Sequence, residues 1–105
     1  TTKKVMGTHR SKIDNPTTVR YYNDLFTNAG AKGEFEKAIF YAEKIIENDQ
    51  LHQFHYMGLF YRALMKWELG RIDSACSDSR EALSLVPSGS RDEKDIKNFL
   101  QDVCS

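Results

Sequence analysis

Cysteine is nearly absent from this chain. Two residues in 105, Cys76 and Cys104, do not make a disulfide framework, so a reducing, cytoplasmic setting with free thiols is the default expectation. A bridge between them is geometrically open if the last helix packs on the one before it. Net charge is absent as well: 15 Lys and Arg balance 15 Asp and Glu. That argues against a dedicated nucleic-acid binder, whose affinity comes mainly from neutralising phosphates. No apolar run reaches the roughly 18 residues that signal a membrane span, and no secretory signal is visible. There is no glycine-rich phosphate loop, no zinc-type cysteine pairing and no G-x-S-x-G motif. No enzyme activity, cofactor or metal is therefore expected. The chain opens on Thr1-Thr2 without an initiator Met and reads as a segment excised from a longer protein.

The remaining composition is that of an ordinary globular domain, with 40% hydrophobic and 29% charged residues. Residues 1–15 have no sustained period and read as a mildly basic tail or linker. From Asn15-Pro16 onward the pattern is helical throughout, Asn suiting an N-cap and Pro the first helical position. Tyr22, Leu25, Phe26 and Ala29 share one face of a first helix, which Gly30 and Gly33 end. A second, from about Glu34 to Asn48, carries an apolar stripe of Phe35, Ala38, Ile39, Ala42, Ile45 and Ile46. The third, Leu51–Gly70, holds the single Trp and is apolar around most of its circumference, so other helices should pack around it. A fourth, from about Ile72 to Val86, has Ile72, Ala75, Cys76, Ala82, Leu83 and Leu85 as its apolar positions. After the Pro87-Ser88-Gly89 break, Ser90-x-x-Glu93 matches a capping box and starts a fifth helix with Ile96, Phe99, Leu100 and Val103 on one face. The expected fold is all-α, in about five helices.

Two stretches repeat. Gly33/Phe35/Ala38 and Gly70/Ile72/Ala75 correspond at an offset of 37. Upstream, Tyr22/Leu25/Phe26/Ala29 pairs with Phe60/Ala63/Leu64/Trp67 at an offset of 38, which makes the second hairpin one residue tighter and places Trp67 in the core. Counting at the strict offset would instead bury Arg62 and Lys66. This arrangement, with Ala82-Leu83 and Pro87 closing the second unit, resembles the tetratricopeptide repeat over about residues 19–87. The resemblance implies antiparallel helix hairpins stacked as a right-handed α-α superhelix. Repeat one spans about 19–49, repeat two about 53–87, and a capping helix 90–104, within a domain of residues 16–105. Two repeats and a helix leave a face open, so continuation in a longer parent, self-association or a partner should close it.

By that resemblance the first helix of each repeat lines a concave groove. The groove positions would be Arg20, Asn23, Asp24 and Thr27 from the first helix and Met57, Tyr61, Arg62 and Met65 from the third. Tyr, Arg and Met are enriched at interfaces, and an extended peptide or a helix could lie there. Met57, Tyr61 and Met65 have a plainer alternative as core residues. The expected function is a non-catalytic protein–protein interaction module, an adaptor or scaffold. Two other readings compete. The first repeat also resembles a pentatricopeptide repeat, which implies RNA binding, though neutral charge opposes it. The chain could also be a dimerisation segment that closes its open face on itself. His52 and His55 sit three apart at a helix start and read as solvated rather than as metal ligands.

Overall fold

The computed structural model describes residues 16–49 and 53–104. The tail of residues 1–15 and His52 lie outside them. Five helices make up the described chain: α1 (Pro16–Ala31), α2 (Phe35–Asn48), α3 (His55–Glu68), α4 (Ile72–Leu85) and α5 (Arg91–Cys104). There is no strand among the described residues, as the helical periodicity requires.

The helix ends show how local sequence sets the path. Gly33 and Gly70 both have positive φ, 77° and 79°, the left-handed conformation that closes a helix most cheaply with glycine. At the first turn Glu34 N–H donates to Ala29 C=O and Gly33 N–H to Gly30 C=O; at the second, Arg71 N–H donates to Lys66 C=O and Gly70 N–H to Trp67 C=O. These are two copies of one C-terminal capping motif, displaced by 37 residues at every position. At α5 the capping box forms. Ser90 Oγ accepts from Glu93 N–H at 3.1 Å, while Glu93 reaches back to Gly89 N–H at 2.8 Å. The buried carboxylate of Asp49, at the end of α2, accepts from Gln53 and Phe54 N–H at 2.8 Å each and satisfies donors at the start of α3.

Each helix packs on the next along the chain, and α3 is at the centre. One cluster joins Phe26, Ala29, Ala38 and Ala42 to Tyr61 and Met65. A second gathers Leu59, Ala82 and Ile96 with Ile46, Tyr56, Phe60 and Leu100. A third combines Ala63, Ala75 and Phe99 with Leu64 and Val103. Every cluster therefore contains α3, which explains its apolar circumference.

The register differs from the expected one. The offset of 37 holds through α3 as well as through the turn, so Leu59 and Ala63 stand where the first hairpin has Tyr22 and Phe26. Both are buried, while Phe60 and Leu64 are half-buried and Trp67 is 42% exposed. The second hairpin is not tighter than the first. Arg62 and Lys66 do turn inward, and α4 is built to receive them. Asp78 and Ser79 are buried, whereas Ile72 and Leu85, expected on the apolar side, are exposed. A carboxylate at position 78 lets two cations occupy an interhelical seam that apolar patterning alone would reject.

Candidate interaction surface

Two contacts fix how α1 and α3 lie. Phe26 stacks on Tyr61 with ring centroids 4.5 Å apart and planes 6° from parallel. One turn on, the thioether of Met65 lies beside Gly30, 3.7 Å from where a Cβ would be. The partners advance together, four residues at a time on both helices, so α1 and α3 run parallel as neighbours.

On α1, Arg20, Asp24 and Thr27 are exposed and follow the helical repeat on the side away from Ala29 and Tyr22. Asn23 is half-buried beside them. Thr27 Oγ donates to its carbonyl at 3.0 Å, and its own Oδ1 is buried without a hydrogen-bond partner. On α3 the picture is different. Tyr61 and Met65 pack against the Phe26 cluster, so they lie in the seam between α1 and α3. Met57 is half-buried on the outer side of that seam, and Leu64 and Glu68 follow it at helical spacing, with Leu64 also packed against the Ala63, Ala75 and Phe99 cluster. Of the eight residues, Arg20, Asp24 and Thr27 are exposed, Asn23 and Met57 are half-buried, and Tyr61 and Met65 pack in the seam between α1 and α3.

Arg62 faces the opposite way. Its Nε donates to Asp78 Oδ2 at 2.8 Å and its Nη2 to Asp78 Oδ1 at 2.9 Å, with Glu43 Oε2 of α2 at 3.4 Å. Lys66 Nζ lies 2.9 Å from the same carboxylate and donates to Ser74 Oγ at 2.7 Å. Burial alone pushes the Asp78 carboxyl up. The hydrogen bonds and positive charges of Arg62 and Lys66 outweigh it and hold the group below its ordinary 3.8. This five-residue network of Glu43, Arg62, Lys66, Ser74 and Asp78 across α2, α3 and α4 is structural in position. The shifted register matches Leu64 to Phe26 and so to the core, and no sequence signal marks Glu68.

Aromatic residues cover the outer side of the first hairpin. Tyr21 and Tyr22 meet edge-on at 5.2 Å, Tyr22 lies 6.3 Å from Tyr41, and Tyr41 lies 5.7 Å from Phe40. Tyr21 is 59% and Phe40 50% exposed. Tyr21 occupies the position that Gly58 holds in the second hairpin. Gly58 lets α3 seat on α2: a Cβ there would stand 2.6 Å from Ile46 Cγ1 and 3.2 Å from the Ala42 carbonyl. A further hairpin of the same design could not seat against Tyr21 in that way.

At the opposite end, Tyr56 donates to Asp92 Oδ2 at 3.1 Å, linking α3 to α5. Burial pushes the Tyr56 and Tyr61 phenols up, and Asp92 adds to both. Cys76 and Cys104 are disulfide-bonded, with Cα atoms 5.9 Å apart. The free-thiol expectation is corrected: α5 packs on α4, and that packing brings the two sulfurs together. His55 lies with Nδ1 3.8 Å from Asp49 Oδ2, inside the α2–α3 corner rather than in solvent. No group of three or more His, Cys, Asp and Glu side chains is placed to hold a metal among the described residues, and no helix there is long and apolar enough to cross a membrane.

No protein-family model, no curated protein and no solved structure matches the chain.

Proposed function

We propose that the chain is a non-catalytic protein-interaction module with tetratricopeptide-like architecture: two stacked hairpins and a capping helix in a right-handed array. The observation that carries this reading is the 37-residue correspondence of the two hairpin turns, bond for bond, together with the parallel contact of α1 and α3. The partner is a peptide in extended or helical form lying along Arg20, Asp24 and Thr27 of α1 and Met57, Leu64 and Glu68 of α3. Apolar positions on α3 beside charged and hydroxyl positions on α1 suit a ligand with one apolar and one polar edge.

The test uses a photoreactive residue placed at Thr27 or at Glu68, with Ser77 on the exposed side of α4 as control. Capture of the same protein from both groove positions and not from Ser77 supports the reading. Thr27→Arg should then abolish capture while leaving the melting temperature unchanged. Equal capture from Ser77 sinks it.

One observation favours self-association as a second reading: the exposed Tyr21 and Phe40. Sedimentation velocity over a wide concentration range decides it, since a monomer at every concentration excludes a dimer. Nothing in the geometry favours RNA. The cytoplasmic expectation rested on the cysteine count, and the Cys76–Cys104 bond removes that basis, because such bonds persist in oxidising compartments and are transient and regulatory in reducing ones.

A further inference from the structure

We propose that the Cys76–Cys104 bond is a redox clasp: oxidised, it locks α5 onto the α3–α4 hairpin, and reduced, it lets α5 open without the rest of the chain unfolding.

Position is the first argument. The bond joins the buried Cys76 in the body of α4 to the final residue of α5, 28 positions away. The other end of α5 is held by its connection to α4 and by the hydrogen bond that Tyr56 of α3 donates to Asp92. Between these two attachments the helix is anchored by few apolar side chains. Ile96 and Phe99 are buried, Leu100 and Val103 half-buried, and the remaining surface is mostly charged. A helix of 14 residues is marginal by itself in water, so α5 depends on docking, and its C-terminal half depends on the bond. Elements with few buried contacts are the ones that open locally.

Access is the second argument. The bond borders an open cleft of about 390 Å³ lined by Ile72, Asp73, Arg80 and Val103 with the two cysteines. Cys104 is only half-buried, whereas Cys76 is 5% exposed. A dithiol reductant can therefore reach Cys104 Sγ. One of its thiolates attacks that sulfur, a new S–S bond forms, and the Cys76–Cys104 bond breaks with its electron pair leaving on Cys76 Sγ. Arg80, one turn along α4 in the same cleft, supplies positive charge near the leaving thiolate, against the carboxylate of Asp73. The reductant's second thiol then attacks its own bonded sulfur and expels Cys104 as a thiolate. The two protons of the dithiol end on the two cysteines, and the reductant leaves as a disulfide.

Consequence is the third. Where α5 lifts, Leu59, Phe60 and Ala63 of α3 and Ala75 and Ala82 of α4 lose their cover. These line one face across the hairpin, already shaped for an amphipathic helix. Reduction thus converts a capped stack into one with an open apolar face.

Hydrogen exchange on the full chain tests this, with and without dithiothreitol. Amides of residues 94–104 should exchange at least about tenfold faster after reduction, with amides of 16–48 unchanged. Cys104→Ser should exchange like the reduced chain and be insensitive to dithiothreitol. Unchanged exchange in α5 overturns the proposal. So does an equal acceleration in all five helices, which would make the bond a global staple. So does finding both thiols free in the air-oxidised native protein.

Discussion

Arg62 grips Asp78 through two parallel hydrogen bonds across the α3–α4 seam, and Lys66 shares the same carboxylate from one turn away. Asp78 is thus the single anion facing two inward cations, with Glu43 at the edge of Arg62 only. Removing it takes the carboxylate partner from Lys66 and leaves Arg62 with Glu43 alone at 3.4 Å. Asp78→Ala should cost about 2–3 kcal/mol in urea unfolding, less than for a fully buried pair because the Arg62 and Lys66 side chains keep 23% and 16% of their exposure. Replacing Arg62, Lys66 and Asp78 together by Leu, Leu and Ala should cost less than Asp78→Ala alone, since no cation is left in the seam and Glu43, 44% exposed, is solvated.

The same network sets an acid limit. The folded Asp78 carboxyl sits below its ordinary 3.8. A depressed folded value means that this stability is fully present above 3.8 and is lost as pH falls through the lower folded value. Unfolding free energy measured between pH 6 and pH 2.5 should therefore drop more steeply for the natural chain than for Asp78→Asn, with the two curves converging at the acid end. Parallel curves would remove Asp78 from the acid transition.

Two glycines should respond to alanine with opposite sign. At Gly58 the helix-propensity gain of about 1 kcal/mol is opposed by overpacking of about 1–3 kcal/mol. The Ile46 side chain can shift, but the Ala42 carbonyl at 3.2 Å belongs to the α2 backbone and cannot. Gly58→Ala should destabilise. At Gly30 the nearest atoms are the flexible end of Met65 at 3.7 and 3.9 Å, ordinary contact distances. Gly30→Ala should stabilise by up to about 1 kcal/mol. Chemical denaturation of the two variants side by side reads both signs.

The contrast between these sites and the sequence pattern shows where legibility stops. Helix number, the breaks at Gly33, Gly70 and Pro87, and the Ser90–Glu93 box could be read because each depends on residues close in sequence. The register of α3 could not. Its choice between offsets of 37 and 38 turned on whether Arg62 and Lys66 could be buried, and the answer sits 16 residues from Arg62 at Asp78. A charge on a predicted apolar stripe was the signal available. The disulfide depended likewise on how α5 lies against α4, which periodicity alone does not determine. Of the proposed surface, the α1 residues were legible as exposed polar positions. Those of α3 followed the register and moved with it, to Leu64 and Glu68.

Tyr61 and Met65 separate surface from core most directly. The Tyr61 ring lies flat on Phe26, and Met65 closes the same cluster beside Ala29, Ala38 and Ala42. Truncation removes contacts that hold α1 against α3, so Tyr61→Ala should cost about 2–4 kcal/mol and Met65→Ala about 2–3 kcal/mol. Phe26→Ala should be non-additive with Tyr61→Ala, because each loses the same ring contact. Met57→Ala, on the outer side of the seam, should cost well under half as much. If instead Tyr61→Ala left stability untouched and weakened capture at Thr27, Tyr61 would belong to the ligand-facing surface, and the α1–α3 seam would have to be held by Met65 and the α2 contacts alone.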